Sequence, residues 1–150
     1  MDATPTTYRK VLLRSKSEAI FIRGIELIGL TNWEYEPEDF KVDDWVPDFW
    51  IVGSYYHPEE QRRKVTSVVV EYKPAPVTPS YKDLLKKRFI KILDRNYCVT
   101  PVLACGSAFN YELPREVWSL DEQDEWEFTT DSWIFKKFDE AKNYRFDLDL

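Results

Sequence analysis

Residues 65–73 read Val-Thr-Ser-Val-Val-Val-Glu-Tyr-Lys, and residues 46–52 before them read Val-Pro-Asp-Phe-Trp-Ile-Val. The first stretch is β-branched and nearly continuous in apolar character, the pattern of a strand buried on both faces at the middle of a sheet. The second predicts a neighbouring strand, with Pro47 near its start, where a missing backbone donor does least harm. The polar stretch 53–64 between them predicts a hairpin loop. Side chains two positions apart on a strand share a face, so Glu71 and Lys73 are expected side by side, with Asp48 beside them on the adjacent strand.

Working outward, Ala19, Ile20, Ile22, Ile25, Leu27 and Ile28 recur with helical spacing, which predicts a helix over 14–30. Ser15 with Glu18 three residues on forms a capping box, and Gly29 is placed to end the helix. Thr31 to Glu36 alternates aromatic and acidic residues as a half-exposed strand does, until Pro37 interrupts it. Pro74, Pro76 and Pro79 force a turn. Ser80 then caps a helix to about Arg95, with Leu84, Leu85, Phe89, Ile92 and Leu93 on one face and basic residues on the other. Val99 to Ala104 predicts a further strand. The expected fold is α/β, a mixed central β-sheet flanked by helices. The 150 residues suit a single domain, with a core over about 14–106 and an aromatic, acidic extension over 107–150 that holds a strand or two and a short helix.

Hydrolysis of a phosphodiester with Mg2+ needs hard oxygen ligands, because the ion must offset charge on the phosphate and acidify the attacking water. Asp48 and Glu71 supply such ligands, and the Lys73 ammonium is placed to orient the water or to stabilise charge developing on phosphorus. The acid-x-Lys triplet is not specific in itself: chance alone gives about two in a chain of this composition, and three occur, at Asp39, Glu71 and Glu140. Only Glu71-Tyr72-Lys73 ends a long β-branched run with an acidic strand partner upstream.

Val46-Pro47-Asp48-Phe49-Trp50, followed by Val68-Val69-Val70-Glu71-Tyr72-Lys73, resembles the PD-(D/E)xK superfamily of restriction, recombination and repair nucleases. The resemblance covers about residues 14–106. It extends upstream to small phage and mobile-element members, which lead with a glutamate-bearing helix and an aromatic, acidic strand like Trp33-Glu34-Tyr35-Glu36-Pro37. It implies a restriction-endonuclease-like core in which Glu18, Asp48, Glu71 and Lys73 are the catalytic set. Asp48, Glu71 and the Tyr72 backbone carbonyl would ligate Mg2+ or Mn2+, and Glu18 would join through a water or a second metal. The activity implied is that of a DNA endonuclease, homing or restriction-like, leaving a 5′-phosphate and a 3′-hydroxyl. A junction-resolving or repair nuclease, and a non-catalytic DNA-binding or assembly protein on the same fold, are the alternatives.

A formal charge of −6 argues against holding DNA by bulk electrostatics alone. Charge is segregated, however. Between Ser80 and Asn96 six basic residues face two acids, whereas from Glu112 to Asp131 eight acids face Arg115 alone. Lys82, Lys86, Lys87 and Lys91 on the predicted helix, and Arg62 and Arg63 in the predicted loop, are therefore the candidate DNA contacts. One site per chain makes a homodimer or higher homo-oligomer the expectation for cutting both strands. Cys98 and Cys105 match neither zinc spacing nor a disulfide scaffold and are expected as buried free thiols. His57, in the predicted loop, is expected to be a loop histidine. No apolar run approaches a membrane span and the N-terminus lacks a signal-peptide pattern, so a soluble cytoplasmic protein without membrane partners is expected.

Overall fold

The β-branched run lies at the centre of the molecule. A computed structural model describes residues 4–96, 98–106, 115–128 and 132–148. In it, β1 (Thr6–Tyr8) and β2 (Val11–Leu13) form a small hairpin. The elements that follow are α1 (Lys16–Ile28), β3 (Asn32–Tyr35), β4 (Phe49–His57), β5 (Arg62–Lys73), α2 (Pro79–Arg95), β6 (Thr100–Cys105), β7 (Glu116–Leu120), β8 (Trp126–Phe128) and α3 (Ser132–Ala141). Strands β3 to β8 make one sheet in sequence order, parallel between β5 and β6 and antiparallel elsewhere. The architecture is thus mixed α/β, a mixed sheet flanked by helices.

Alternation along β5 decides which helix covers which face. Val70 and Tyr72 pack with Ala19, Ile20 and Phe21 of α1 and Phe138 of α3. Val69 points the other way, to Leu85, Phe89 and Ile92 of α2. Both faces of β5 are therefore apolar through residues 69–70, which explains its unbroken β-branched run.

Helix α1 begins as its capping box dictates: Ser15 Oγ accepts the Glu18 N–H at 3.1 Å. It ends on Gly29, whose φ of 117° closes a left-handed cap. Gly24 lies inside the helix, where glycine normally costs stability, and its role is space. A Cβ there would stand 2.2 Å from Phe138 Cδ1 and 3.3 Å from the Phe138 Cα. Gly24→Ala is therefore expected to destabilise by roughly 1–3 kcal/mol through overpacking, reversing the helix-propensity gain. Urea denaturation checks this, and a variant as stable as the parent would contradict such close α1–α3 contact.

Several expectations are corrected. Residues 53–64 are not a loop: β4 continues to His57 and β5 begins at Arg62, leaving a turn of residues 58–61. Gly53 carries the strand through a φ of 151°, a conformation L side chains rarely adopt, with Leu30 against it, and Tyr55 and His57 pack on Trp133 of α3, ring centroids 6.1 and 5.2 Å apart. That cover turns a polar stretch into strand. His57 is accordingly a buried strand-end residue whose Nδ1 accepts the Glu60 N–H at 3.2 Å.

Helix α2 starts two residues earlier than expected. Its cap is Thr78, not Ser80, because Pro79 at the first helical position requires no donor and Thr78 Oγ1 takes the Tyr81 N–H at 3.1 Å. Its buried stripe is Leu85, Phe89 and Ile92, while Leu84 is exposed and Leu93 half-buried. Cys105 is a buried thiol, pushed up to about 11 chiefly by burial, whereas Cys98 is exposed. The C-terminal segment supplies two strands and a helix: β7 and β8 widen the sheet, and α3 packs on α1. Residues 112–114 and 129–131 of the acidic run lie outside the described residues. No helix among the described residues is long and apolar enough to cross a membrane.

Candidate functional site

Register brings the carboxylates together. Phe49 pairs with Val70, so the next residues along, Asp48 and Glu71, meet at the end of the sheet. The Asp48 carbonyl accepts the Glu36 N–H at 2.8 Å, which carries the β3–β4 ladder one residue further and fixes the Asp48 backbone. Its side chain is 2% exposed, and Oδ2 accepts the Tyr72 N–H at 2.7 Å. Oδ1 accepts from Arg14 Nη2.

Glu71 is held on the α2 side. One oxygen, Oε2, accepts from Tyr81 Oη at 2.8 Å and from Trp45 Nε1 at 3.2 Å. Lys73 shares that face as expected, its Nζ 3.8 Å from Glu71 Oε2 and 5.3 Å from the centre of the Tyr81 ring. The Lys73 side chain remains 41% exposed. Beside it opens a cavity of about 260 Å³ lined by Lys73, residues 74–78 and Tyr81.

Glu18 enters from the first turn of α1, on the opposite flank. It is 4% exposed, and Oε2 accepts from Tyr35 Oη at 3.2 Å and lies 3.8 Å from Arg14 Nη2. Glu18 thus both completes the helix cap and belongs to the carboxylate cluster, so the two roles coincide in one residue.

Burial and crowding set the electrostatics. Burial first, and then the adjacent Glu71, hold the Asp48 carboxyl well above its ordinary range. Burial raises Glu18 too, against the lowering effect of Arg14. Tyr35 is pushed up to about 12 by burial and the Glu18 charge, and Tyr81 is raised by burial and Glu71, so both phenols remain protonated donors to the carboxylates. Three buried acids from three elements therefore face one guanidinium and one ammonium.

Among the described residues, no group of three or more His, Cys, Asp or Glu side chains is disposed to hold a metal ion. The pair Asp48 and Glu71 is what the fold offers as oxygen ligands. Two carboxylates match the habit of Mg2+, which keeps several waters and takes its remaining ligands from substrate phosphate.

The candidate DNA contacts are dispersed. Lys82 places its Nζ 3.4 Å from the centre of the Trp118 ring, Lys86 lies 4.0 Å from Glu125, Lys91 pairs with Asp43 at 3.0 Å, and Lys87 is exposed. Arg62 and Arg63 sit at the far end of β5, nine residues or about 30 Å of strand from Glu71. They do not join the site.

Four members of the site were not singled out from sequence: Arg14, Tyr35, Trp45 and Tyr81. Arg14 did carry a signal, standing one helical turn before Glu18 at the i, i+4 spacing of an ion pair. Trp45 and Tyr81 carried none, since only the packing of α2 on β5 turns them toward Glu71. Comparison with family models, with curated proteins and with solved structures returns no match to this chain, so its chemistry must be read from these residues.

Proposed function

We propose that this chain is a divalent-metal-dependent DNA endonuclease of the PD-(D/E)xK type. One observation carries the reading: Glu18, Asp48 and Glu71, all buried, converge at one end of the sheet with the Lys73 ammonium beside Glu71. A protein gains nothing in stability by crowding buried carboxylates, and burial raises the proton affinity of Asp48 and Glu18, so the arrangement suits a cation that offsets them.

Asp48 and Glu71 would hold Mg2+ or Mn2+, with the Tyr72 carbonyl as a further ligand and Glu18 linked through water. The ion would supply Lewis acidity to the phosphate and acidity to the attacking water. Trp45 and Tyr81 grip one oxygen of Glu71 and fix its orientation. Lys73, half-exposed at the rim, is placed to meet an entering phosphate and to stabilise its developing charge. Arg88, whose guanidinium stacks 5.3 Å over the Trp45 ring, adds positive charge on the same side and is a better placed phosphate contact than Arg62 or Arg63. Cutting both strands of a duplex takes two copies of the chain, since the described residues of each carry one such cluster.

The test is incubation of supercoiled plasmid with purified protein in Mg2+, in Mn2+ and in EDTA. Nicked or linear product bearing 5′-phosphate ends, formed only with the metals, is expected. Intact plasmid in both metals, with four-way junctions and single strands equally intact, would favour a non-catalytic DNA-binding or assembly role, and cleavage of junctions alone would favour the resolving enzyme.

A further inference from the structure

Among the described residues Arg14 is the cation bonded to Asp48, and the manner of its attachment is unusual. Its side chain is 63% exposed while the carboxylate it binds is 2% exposed, so a guanidinium reaches from solvent into a buried acid. Nη2 bonds Asp48 Oδ1 and lies 3.8 Å from Glu18 Oε2. Nε donates to Tyr35 Oη at 3.0 Å, and Glu36 Oε1 stands 3.6 Å from Nε. The guanidinium therefore holds Asp48 and stands beside Glu18, two of the groups that a divalent ion would use directly or through water.

Two cations do not share one carboxylate oxygen in a buried site at full strength, because their mutual repulsion is poorly screened there. Asp48 Oδ2 already accepts the Tyr72 N–H and Oδ1 is held by Arg14, so an ion drawn to this carboxylate meets the guanidinium on Oδ1 or directly beside it. We infer that Arg14 is a resident counter-ion of the carboxylate cluster, exchanged for the divalent ion on loading and thereby freed to meet the substrate phosphate at the mouth of the site. This rests on the metal-site reading above. The exchange keeps the cluster compensated in both states, and it delivers the fork-shaped phosphate ligand only when the metal is in place. Arg14 is suited to the move, being anchored at the residue before the α1 cap with most of its side chain already in solvent.

Two measurements on the full chain separate this inference from the reading beneath it. In the first, the Arg14 Nε–H resonance, assigned by its loss in Arg14→Lys, is followed by NMR during Mg2+ titration. It should be shifted and exchange-protected without metal and should lose both properties on saturation. In the second, Mn2+ binding by the wild type, Arg14→Gln and Arg14→Lys is measured by calorimetry, with Asp48→Asn as the null control. An opposite charge at this range shifts a carboxylate's proton affinity by about one to three decades, and a divalent ion competes for the same charge, so Arg14→Gln should bind Mn2+ roughly ten-fold tighter or more, with Arg14→Lys close to wild type.

Wild type that binds Mn2+ while the Arg14 resonance stays unmoved and protected overturns the exchange and leaves the metal site standing. Equal Mn2+ affinity in wild type and Arg14→Gln does the same. Absence of Mn2+ binding in wild type and in every variant overturns the metal site itself, and the exchange with it.

Discussion

Asp48→Asn and Glu71→Gln are each expected to abolish metal-dependent cleavage, a loss of roughly a thousand-fold or more, while leaving the fold intact. Each substitution preserves shape and one acceptor oxygen. The Tyr72 N–H can still be received at position 48, and the Trp45 and Tyr81 donors at position 71. Both remove a carboxylate from a crowded, buried pair.

The same crowding makes Asp48→Asn informative about stability. The folded-state pKa of Asp48 is raised above its ordinary value of 3.8, so the folded protein binds a proton more tightly than the unfolded chain does. The stabilisation from that proton is complete below pH 3.8 and is lost as pH rises through the folded-state value. Glu18, raised above 4.5, adds a loss in the same direction. Metal-free wild type should therefore weaken on going from mildly acid to neutral pH, and Asp48→Asn, which cannot titrate, should weaken less. Urea denaturation across that range, in EDTA, checks the sign. A wild type that gains stability over this interval while the variant does not would contradict the raised Asp48 value. A variant that cuts plasmid at the parental rate would contradict the role of the pair.

Lys73→Ala is expected to lose turnover by roughly a hundred- to a thousand-fold, the scale of removing one group that stabilises transition-state charge. It should keep Mn2+ binding, since an ammonium is no ligand. Loss of a neighbouring positive charge should even favour the ion slightly, given that Lys73 Nζ stands 3.8 Å from Glu71. The relevant comparison is single-turnover cleavage alongside Mn2+ calorimetry on the same preparation. Full turnover with weakened metal binding would place Lys73 in support of the ligands and not in the chemistry.

The site was legible in sequence to the extent that strand geometry alone builds it. Period-two alternation puts Glu71 beside Lys73, a capping box orients Glu18, and one pairing register sets Asp48 against Glu71. What was not legible depends on elements far apart in the chain. The 53–57 stretch forms strand because Trp133, on α3, covers Tyr55 and His57, and no local pattern announces a cover supplied some 80 residues later. Lys82 looked like a surface cation until β7 brought the Trp118 ring beneath it. Read as a loop, residues 53–64 leave Arg62 and Arg63 available as DNA contacts. With that stretch extended as strand, they stand at the opposite end of the sheet from Glu71. Tyr81 reaches Glu71 because Thr78 and Pro79, rather than Ser80, set the start of α2.

The claim on which all of this depends is that Asp48 and Glu71 together bind a divalent ion. A crystal of the protein grown or soaked in Mn2+, with anomalous diffraction data collected at the manganese edge, tests it most directly. The account predicts an anomalous peak between the Asp48 and Glu71 carboxylates, absent from a matched Glu71→Gln crystal. Fully ordered carboxylates with no peak between them at saturating Mn2+, or a peak at other residues only, would contradict it.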